Sequence, residues 1–296
     1  MATPAEAAAM RRAIALSAHG LGTTAPNPPV GCVILDVSGE IVGQGYHQRK
    51  GESHAETIAL AQAGERARGS TAVVTLEPCN HAGRTPPCRQ ALLDAGIARV
   101  LIALLDPTSR EEGGAARLHA AGVDVEVGVL ADEARLVLGP WMTTLRTRRP
   151  VLWWTCVLGP HGLAEADLSH LLARMDAVLY ADGRVREAVP GSHGEGILHL
   201  PGRLDPAAPH AALRALFDGG ARTVLFRGGR SQADPFLRAG MIDHITVVLP
   251  VEVGGLATGE LLPTGYSIDA LTRESDAVVV HASRRPASTE DTEEMT

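Results

Sequence analysis

Apolar residues fall in short blocks along the chain, and their spacing predicts alternating helices and strands. Thr3, Pro4 and Glu6 form a capping box with proline at the first helical position, so a helix starts there and closes at Gly20. Met10, Ile14 and Ser17 mark its expected buried stripe. Residues 30–36 and 40–47 flank a Ser38-Gly39 turn and read as a hairpin. A helix starting near Ser53 and a strand over 71–78 follow. Another helix leaves through Thr85-Pro86-Pro87 and stops at Gly96. A strand over 99–106, a helix over 114–121 and a strand over 123–130 continue the alternation. This order predicts a three-layer α/β sandwich.

The basic stretch Arg146-Thr147-Arg148-Arg149-Pro150 reads as a boundary. Apolar strands resume over 151–158, 177–180, 222–229, 244–255 and 277–283, which predicts a second, less regular α/β domain. The expected division is 1–147, 148–286 and an acidic, disordered tail over 287–296. At 296 residues and 45% hydrophobic, the chain can bury two cores. It has no uncharged apolar run of about 18 residues and no basic start followed by an apolar stretch, so neither a membrane span nor a secretory signal is expected, and a cytoplasmic location is. A net charge of −7 with 3% aromatic residues argues against a nucleic-acid partner.

Four cysteines do not make a disulfide framework in a chain of this length, yet Cys79 and Cys88 share one proline-rich loop. A catalytic zinc site keeps three protein ligands and one open position, and His54, Cys79 and Cys88 are a suitable set. Cys88 falls in the first turn of a helix, where the helix dipole favours thiolate. Glu56, two residues after His54, is placed to move a proton, as in zinc deaminases. Two plainer readings stand beside this one. Ser53-x-x-Glu56 is also a capping box, and the three ligands, with His81 as a fourth, could form a structural zinc knot supporting a binding module. Cys32 and Cys156 lie inside apolar strands and read as buried small hydrophobes.

The segments "APNPPVGCVI", "GQGYHQRKGESHAETIAL", "TAVVTLEPCNHAGRTPPC" and "LLDP", spread over residues 1–145, resemble the pyrimidine deaminase of riboflavin biosynthesis, the N-terminal domain of a bifunctional deaminase-reductase. The resemblance implies a cytidine-deaminase-like fold and zinc held by His54, Cys79 and Cys88, with Glu56 as proton shuttle. It implies a phosphoribosylated diaminopyrimidinone as small-molecule substrate, with Asn27 at the pyrimidine and His81 and Arg84 at the ribose-phosphate end. His47 and Asp106 complete the implied contacts, although Thr108 replaces the family's asparagine. Asn27 also reads as a plain turn residue, His47 as a strand-end histidine, and Arg84 as a solvated loop charge. A homodimer or larger homo-oligomer is expected by analogy.

The second half resembles the dihydrofolate-reductase-like riboflavin reductase domain in "RMDAVLYADGRV" and "ARTVLFRGGRSQADPFLRAGMIDHITVVLPVEVGG", but it is shortened between Val189 and Leu213. The family's Ser-Leu-Asp-Gly-Lys stretch is here Leu158-Gly159-Pro160-His161-Gly162, and no lysine follows Lys50. Gly228 and Gly229 remain as candidates for holding a cofactor phosphate, although a strand-to-helix turn also explains them. The expectation is a degenerate domain that lacks reductase activity and does not call for NADPH. The alternatives are a bifunctional enzyme that retains NADPH and a deaminase recruited to a specialised pyrimidine pathway.

Overall fold

A computed structural model of the chain describes residues 1–80, 86–109, 112–157, 168–250, 262–274 and 277–285. The expected tail over 287–296, the Leu158–Gly162 stretch, His81 and Arg84 lie outside the described residues. The described chain divides into two compact units. The first comprises Met1–Thr147 and Gly191–Leu198, and the second Arg148–Pro190 and His199–Thr296. The division after Thr147 coincides with the basic stretch; Gly191–Leu198 groups with the first unit, although the sequence places it in the second domain.

In the first unit, helix α1 (Pro4–Ser17) starts with the expected box: Thr3 Oγ1 accepts from the Glu6 N–H, and a Glu6 carboxylate oxygen accepts from the Thr3 N–H. Its buried face carries Ala9, Met10, Ala13, Leu16 and Ser17; Ile14 is only half-buried. The strands are β1 (Gly31–Leu35), β2 (Ile41–Tyr46), β3 (Thr71–Leu76), β4 (Arg99–Leu104) and β5 (Asp124–Val127). They form one sheet in the order β2-β1-β3-β4-β5. β1 runs antiparallel to β2 and β3, while β3, β4 and β5 are parallel.

Side chains alternate across this sheet, as strand geometry requires. Val33, Leu35, Val73 and Leu101 pack against α1 and against α5 (Ala131–Thr147). Cys32, Ile34, Val74 and Ile102 face the opposite layer. That layer contains α2 (Ala55–Ala63), α3 (Cys88–Asp94) and α4 (Gly113–Ala120). This is the expected three-layer sandwich. The sequence reading missed α5, because Gly139-Pro140 in its middle resembles a break, yet Ala134, Val137, Leu138 and Trp141 form a regular buried stripe. α2 lies unusually close to β2: a Cβ on Gly43 would sit 2.1 Å from the Ala59 carbonyl oxygen, so only glycine allows the approach.

The second unit has a seven-stranded sheet in the order β11-β12-β10-β6-β9-β7-β8. Its strands are β6 (Val151–Val157), β7 (Ala177–Tyr180), β8 (Val185–Glu187), β9 (Thr223–Arg227), β10 (His244–Pro250), β11 (Tyr266–Glu274) and β12 (Ala277–Arg284). Among the described residues its helices are α6 (Ser169–Leu172), α7 (Pro209–Asp218) and α8 (Arg230–Arg238). One sheet face buries Leu152, Trp154, Phe226 and Val247 against Leu213 and Leu216 of α7 and Phe236 of α8. β8, β11, α6 and α7 were not predicted. Gly228 and Gly229 connect β9 to α8, with Gly229 as the cap residue. A Cβ on Gly228 would meet the Phe226 ring at 2.9 Å, so that glycine also has a packing role. Cys32 and Cys156 are buried, as expected.

Candidate active site

The chemistry gathers at the carboxyl ends of parallel strands β3 and β4, where the chain must turn and backbone groups are free to meet a ligand. Leaving β3, the chain passes through Glu77 and Pro78 to Cys79; leaving β4, it passes through Asp106 and Thr108. From the helical layer, α2 brings His54 and Glu56, and α3 brings Cys88 at its first residue.

The start of α2 overturns the capping-box reading. The cap residue is His54, not Ser53, and it makes no side-chain cap bond. Glu56 therefore sits one position too early to close a box. Its side chain is instead buried, at 3% exposure. The Ser53 carbonyl faces His47 Nδ1 at 3.2 Å.

The ligand atoms of His54, Cys79 and Cys88 lie within 4.8 Å of one another. His54 Nδ1 is 3.2 Å from Cys88 Sγ, and the Cys88 backbone N–H donates to Cys79 Sγ at 3.2 Å. Of the two thiols, Cys79 is the acidic one, lowered by donation from the Cys88 thiol and N–H and by nearby His54. The Cys88 thiol, donating to Cys79 and buried, is pushed up. His54 is raised by its hydrogen bond with Cys79. One imidazole and two thiols converging on one point are the donor set of a three-ligand zinc site, and the residues fit that ion. Burial pushes the Glu56 carboxyl above its ordinary range, and the Cys88 thiol is within its hydrogen-bonding reach.

His54, Glu56 and Cys79 line a cavity of about 260 Å³. Asn27, His47 and Asp106 also line it, so the structure brings together each described residue singled out in the sequence around this cluster. His47 is almost fully buried, and burial lowers its pKa. Because the Ser53 carbonyl can only accept, Nδ1 of the neutral ring donates to it. Nε2 is then the acceptor for the Asn27 side-chain N–H at 3.2 Å. This leaves the Asn27 side-chain oxygen as an acceptor for a ligand. Asp106 Oδ1 accepts from both the N–H and the hydroxyl of Thr108 at 2.7 Å, a turn in which threonine serves the loop itself.

Two wall residues escaped the sequence reading. Glu77, only 6% exposed, accepts from the Asp106 N–H, the Ser109 hydroxyl and the Ala115 N–H, at 3.2, 2.8 and 2.9 Å. It thereby fixes the Asp106 loop; an acidic residue directly after an apolar strand was its available signal. Trp141 reaches the cavity from α5 and donates its indole N–H to the Pro26 carbonyl at 3.1 Å. Its signal was the helical stripe of α5.

Residues 4–104 match the family model described as the cytidine and deoxycytidylate deaminase zinc-binding region. The chain is 38% identical over 298 residues to the riboflavin biosynthesis protein RibD of Mycobacterium tuberculosis, covering 84% of this chain and 86% of that protein. It is 47% identical over 142 residues to the diaminohydroxyphosphoribosylamino-pyrimidine deaminase of Buchnera aphidicola subsp. Schizaphis graminum, covering 48% of this chain and 96% of that protein. A 52% match to the Escherichia coli RibD protein covers 48% of this chain and 39% of that one. The fold follows the crystal structure of a diaminohydroxyphosphoribosylaminopyrimidine deaminase/5-amino-6-(5-phosphoribosylamino)uracil reductase from Thermotoga maritima, with a TM-score of 0.76, 23% identity and coverage of 95% and 99% of the two chains. Buried glutamate, zinc-type donor set and matched region coincide in the first unit, and the chain belongs to the RibD family of riboflavin biosynthesis proteins as a hydrolytic deaminase.

Proposed function

We propose that the first unit removes ammonia from a phosphoribosylated diaminopyrimidinone in riboflavin biosynthesis, through the site formed by His54, Glu56, Cys79 and Cys88. The observation that carries this reading is a buried glutamate beside a His-Cys-Cys cluster, with Glu56, His54 and Cys79 lining a cavity. His54, Cys79 and Cys88 would hold Zn²⁺, which supplies the Lewis acidity that makes water a nucleophile near neutral pH. Glu56 takes a proton from the attacking water and delivers it to the departing amine, so a C–O bond replaces a C–N bond and ammonia leaves. Its raised pKa suits it to both halves of that transfer. Neutral His47 holds Asn27 with its oxygen turned to a ring N–H donor of the substrate, and Asp106, held by Thr108, provides a second polar contact. His81 and Arg84 belong to the same reading as contacts at the phosphate end.

The second unit is taken to lack reductase activity, on the sequence departures around Leu158–Gly162 and the packing role of Gly228. No helix among the described residues is long and apolar enough to cross a membrane. A cytoplasmic location accords with thiol ligands that need a reducing compartment. A homodimer or larger assembly completes the reading and is checked by light scattering.

The test is ammonia release by zinc-loaded protein given the diamino-ribosylamino-pyrimidinone phosphate, with NADPH absorbance followed in the same cuvette. Ammonia with flat absorbance is expected. NADPH consumption would overturn the reading of the second unit, and absence of ammonia would overturn that of the first.

A further inference from the structure

We infer that Ser192 is a positioning residue for the Asn27 loop, supplied to the deaminase unit by a segment from the second half of the chain; the substrate arm of this inference rests on the function proposed above. Gly191–Leu198 groups with the first unit, although the residues on either side of it, up to Pro190 and from His199, belong to the second. Gly191, Gly194 and Gly196 all have positive φ, between +69° and +89°, which lets so short a segment turn in and out.

Within this segment the Ser192 hydroxyl donates to the Gly22 carbonyl at 3.1 Å. His193 is fully buried, and its Nδ1 lies 3.1 Å from the same hydroxyl. A serine hydroxyl has one proton. With that proton directed to Gly22, the oxygen accepts from His193 Nδ1–H, and the imidazole aims the hydroxyl at the loop.

Gly22 is the buried, positive-φ residue of the turn that leads to Asn27. Neighbouring bonds make the turn stiff. Thr24 Oγ1 donates to the Gly20 carbonyl at 3.0 Å, Thr23 Oγ1 to the Gln48 carbonyl at 2.7 Å, and the Asn27 N–H to the Thr24 carbonyl at 2.9 Å. Gln48 directly follows His47, so the same bonds tie the turn to the Asn27 partner. Ser192 holds this turn at Gly22, while Trp141 holds the Pro26 carbonyl from α5. Asn27 is thus suspended between a site helix and a segment that the first 147 residues do not contain.

The experiment compares full-length, zinc-loaded wild type with Ser192→Ala and Ser192→Thr. Hydrogen exchange is read over residues 20–30 and, as an internal control, over α2, alongside KM and kcat for deamination. Ser192→Ala is expected to speed exchange over 20–30 and not in α2. It should raise KM roughly three- to tenfold, the worth of one part-buried hydrogen bond, with kcat within about twofold. Ser192→Thr, which keeps the hydroxyl, should restore both readouts. Unchanged exchange over 20–30, or equal acceleration in α2, would overturn the assignment. If wild type releases no ammonia from this substrate, the proposed function fails, while the exchange comparison still decides the role of Ser192.

Discussion

Replacing Glu56 by glutamine separates catalysis from architecture, because it keeps the shape of a side chain that is 3% exposed and removes its proton-transfer capacity. A positioned general acid-base typically contributes roughly 100- to 10,000-fold, equivalent to about 3–5 kcal/mol of barrier. Deaminase turnover should fall by that factor, with zinc content unchanged. Stability should move the other way in the metal-free protein. Burial raises the Glu56 carboxyl above its ordinary value of 4.5, so the folded state binds that proton more tightly than the unfolded state. The wild type therefore loses stability as pH rises from the ordinary value through the raised one, and the loss persists above it. Glutamine has no such titration. The melting-temperature advantage of Glu56→Gln over wild type should open across that window and then stay level. The assays are ammonia release, metal analysis and thermal melts of metal-free protein across a pH series. Turnover within tenfold of wild type would refute the proton-shuttle role. Loss of turnover together with zinc would instead favour a structural knot.

Cys79→Ser and Cys88→Ser should each lower bound zinc well below one equivalent and abolish turnover, read by metal analysis and ammonia release. Acidification should raise KM once His47, whose pKa is lowered by burial, becomes protonated; Nε2–H then opposes the Asn27 N–H, and the pH profile of 1/KM should show a step below 6.5. Trp141→Phe leaves the Pro26 carbonyl without its indole donor and should cost about 1 kcal/mol of stability while raising KM, measured by denaturant melts and kinetics. Gly43→Ala would place a Cβ 2.1 Å from the Ala59 carbonyl oxygen, so α2 must shift. The expected cost is about 1–3 kcal/mol, with a larger loss of turnover than Trp141→Phe because α2 carries His54 and Glu56.

The helix and strand alternation of the first unit, the Thr3 capping box and the zinc-type ligand set were legible because each rests on local chemistry. A proline at a helix start, β-branched runs between glycine turns, and thiols beside a histidine act through their immediate neighbours. What was misread involved competition between local and distant partners. Ser53 and Glu56 have capping-box spacing, but the Ser53 carbonyl is opposite His47 and Glu56 is buried in the site, so the helix begins one residue later. α5 carries a glycine-proline pair that locally argues against a helix, and burial of Ala134, Leu138 and Trp141 against the sheet overrides it.

The remainder depended on chain segments far apart in sequence. Glu77 is an ordinary acidic residue until Asp106, Ser109 and Ala115, 29 to 38 positions away, bring three donors to its carboxylate. Trp141 becomes a wall of the cavity only because α5 folds back onto α1 and the sheet, 115 residues from the Pro26 carbonyl it holds. Ser192 lies beyond the boundary at Thr147 and reaches Gly22 across 170 residues. Residue types and short spacings thus determined which chemistry this chain can perform. Packing decided which side chains aim that chemistry, because a hydrogen bond between distant segments leaves no periodicity in the sequence that holds it.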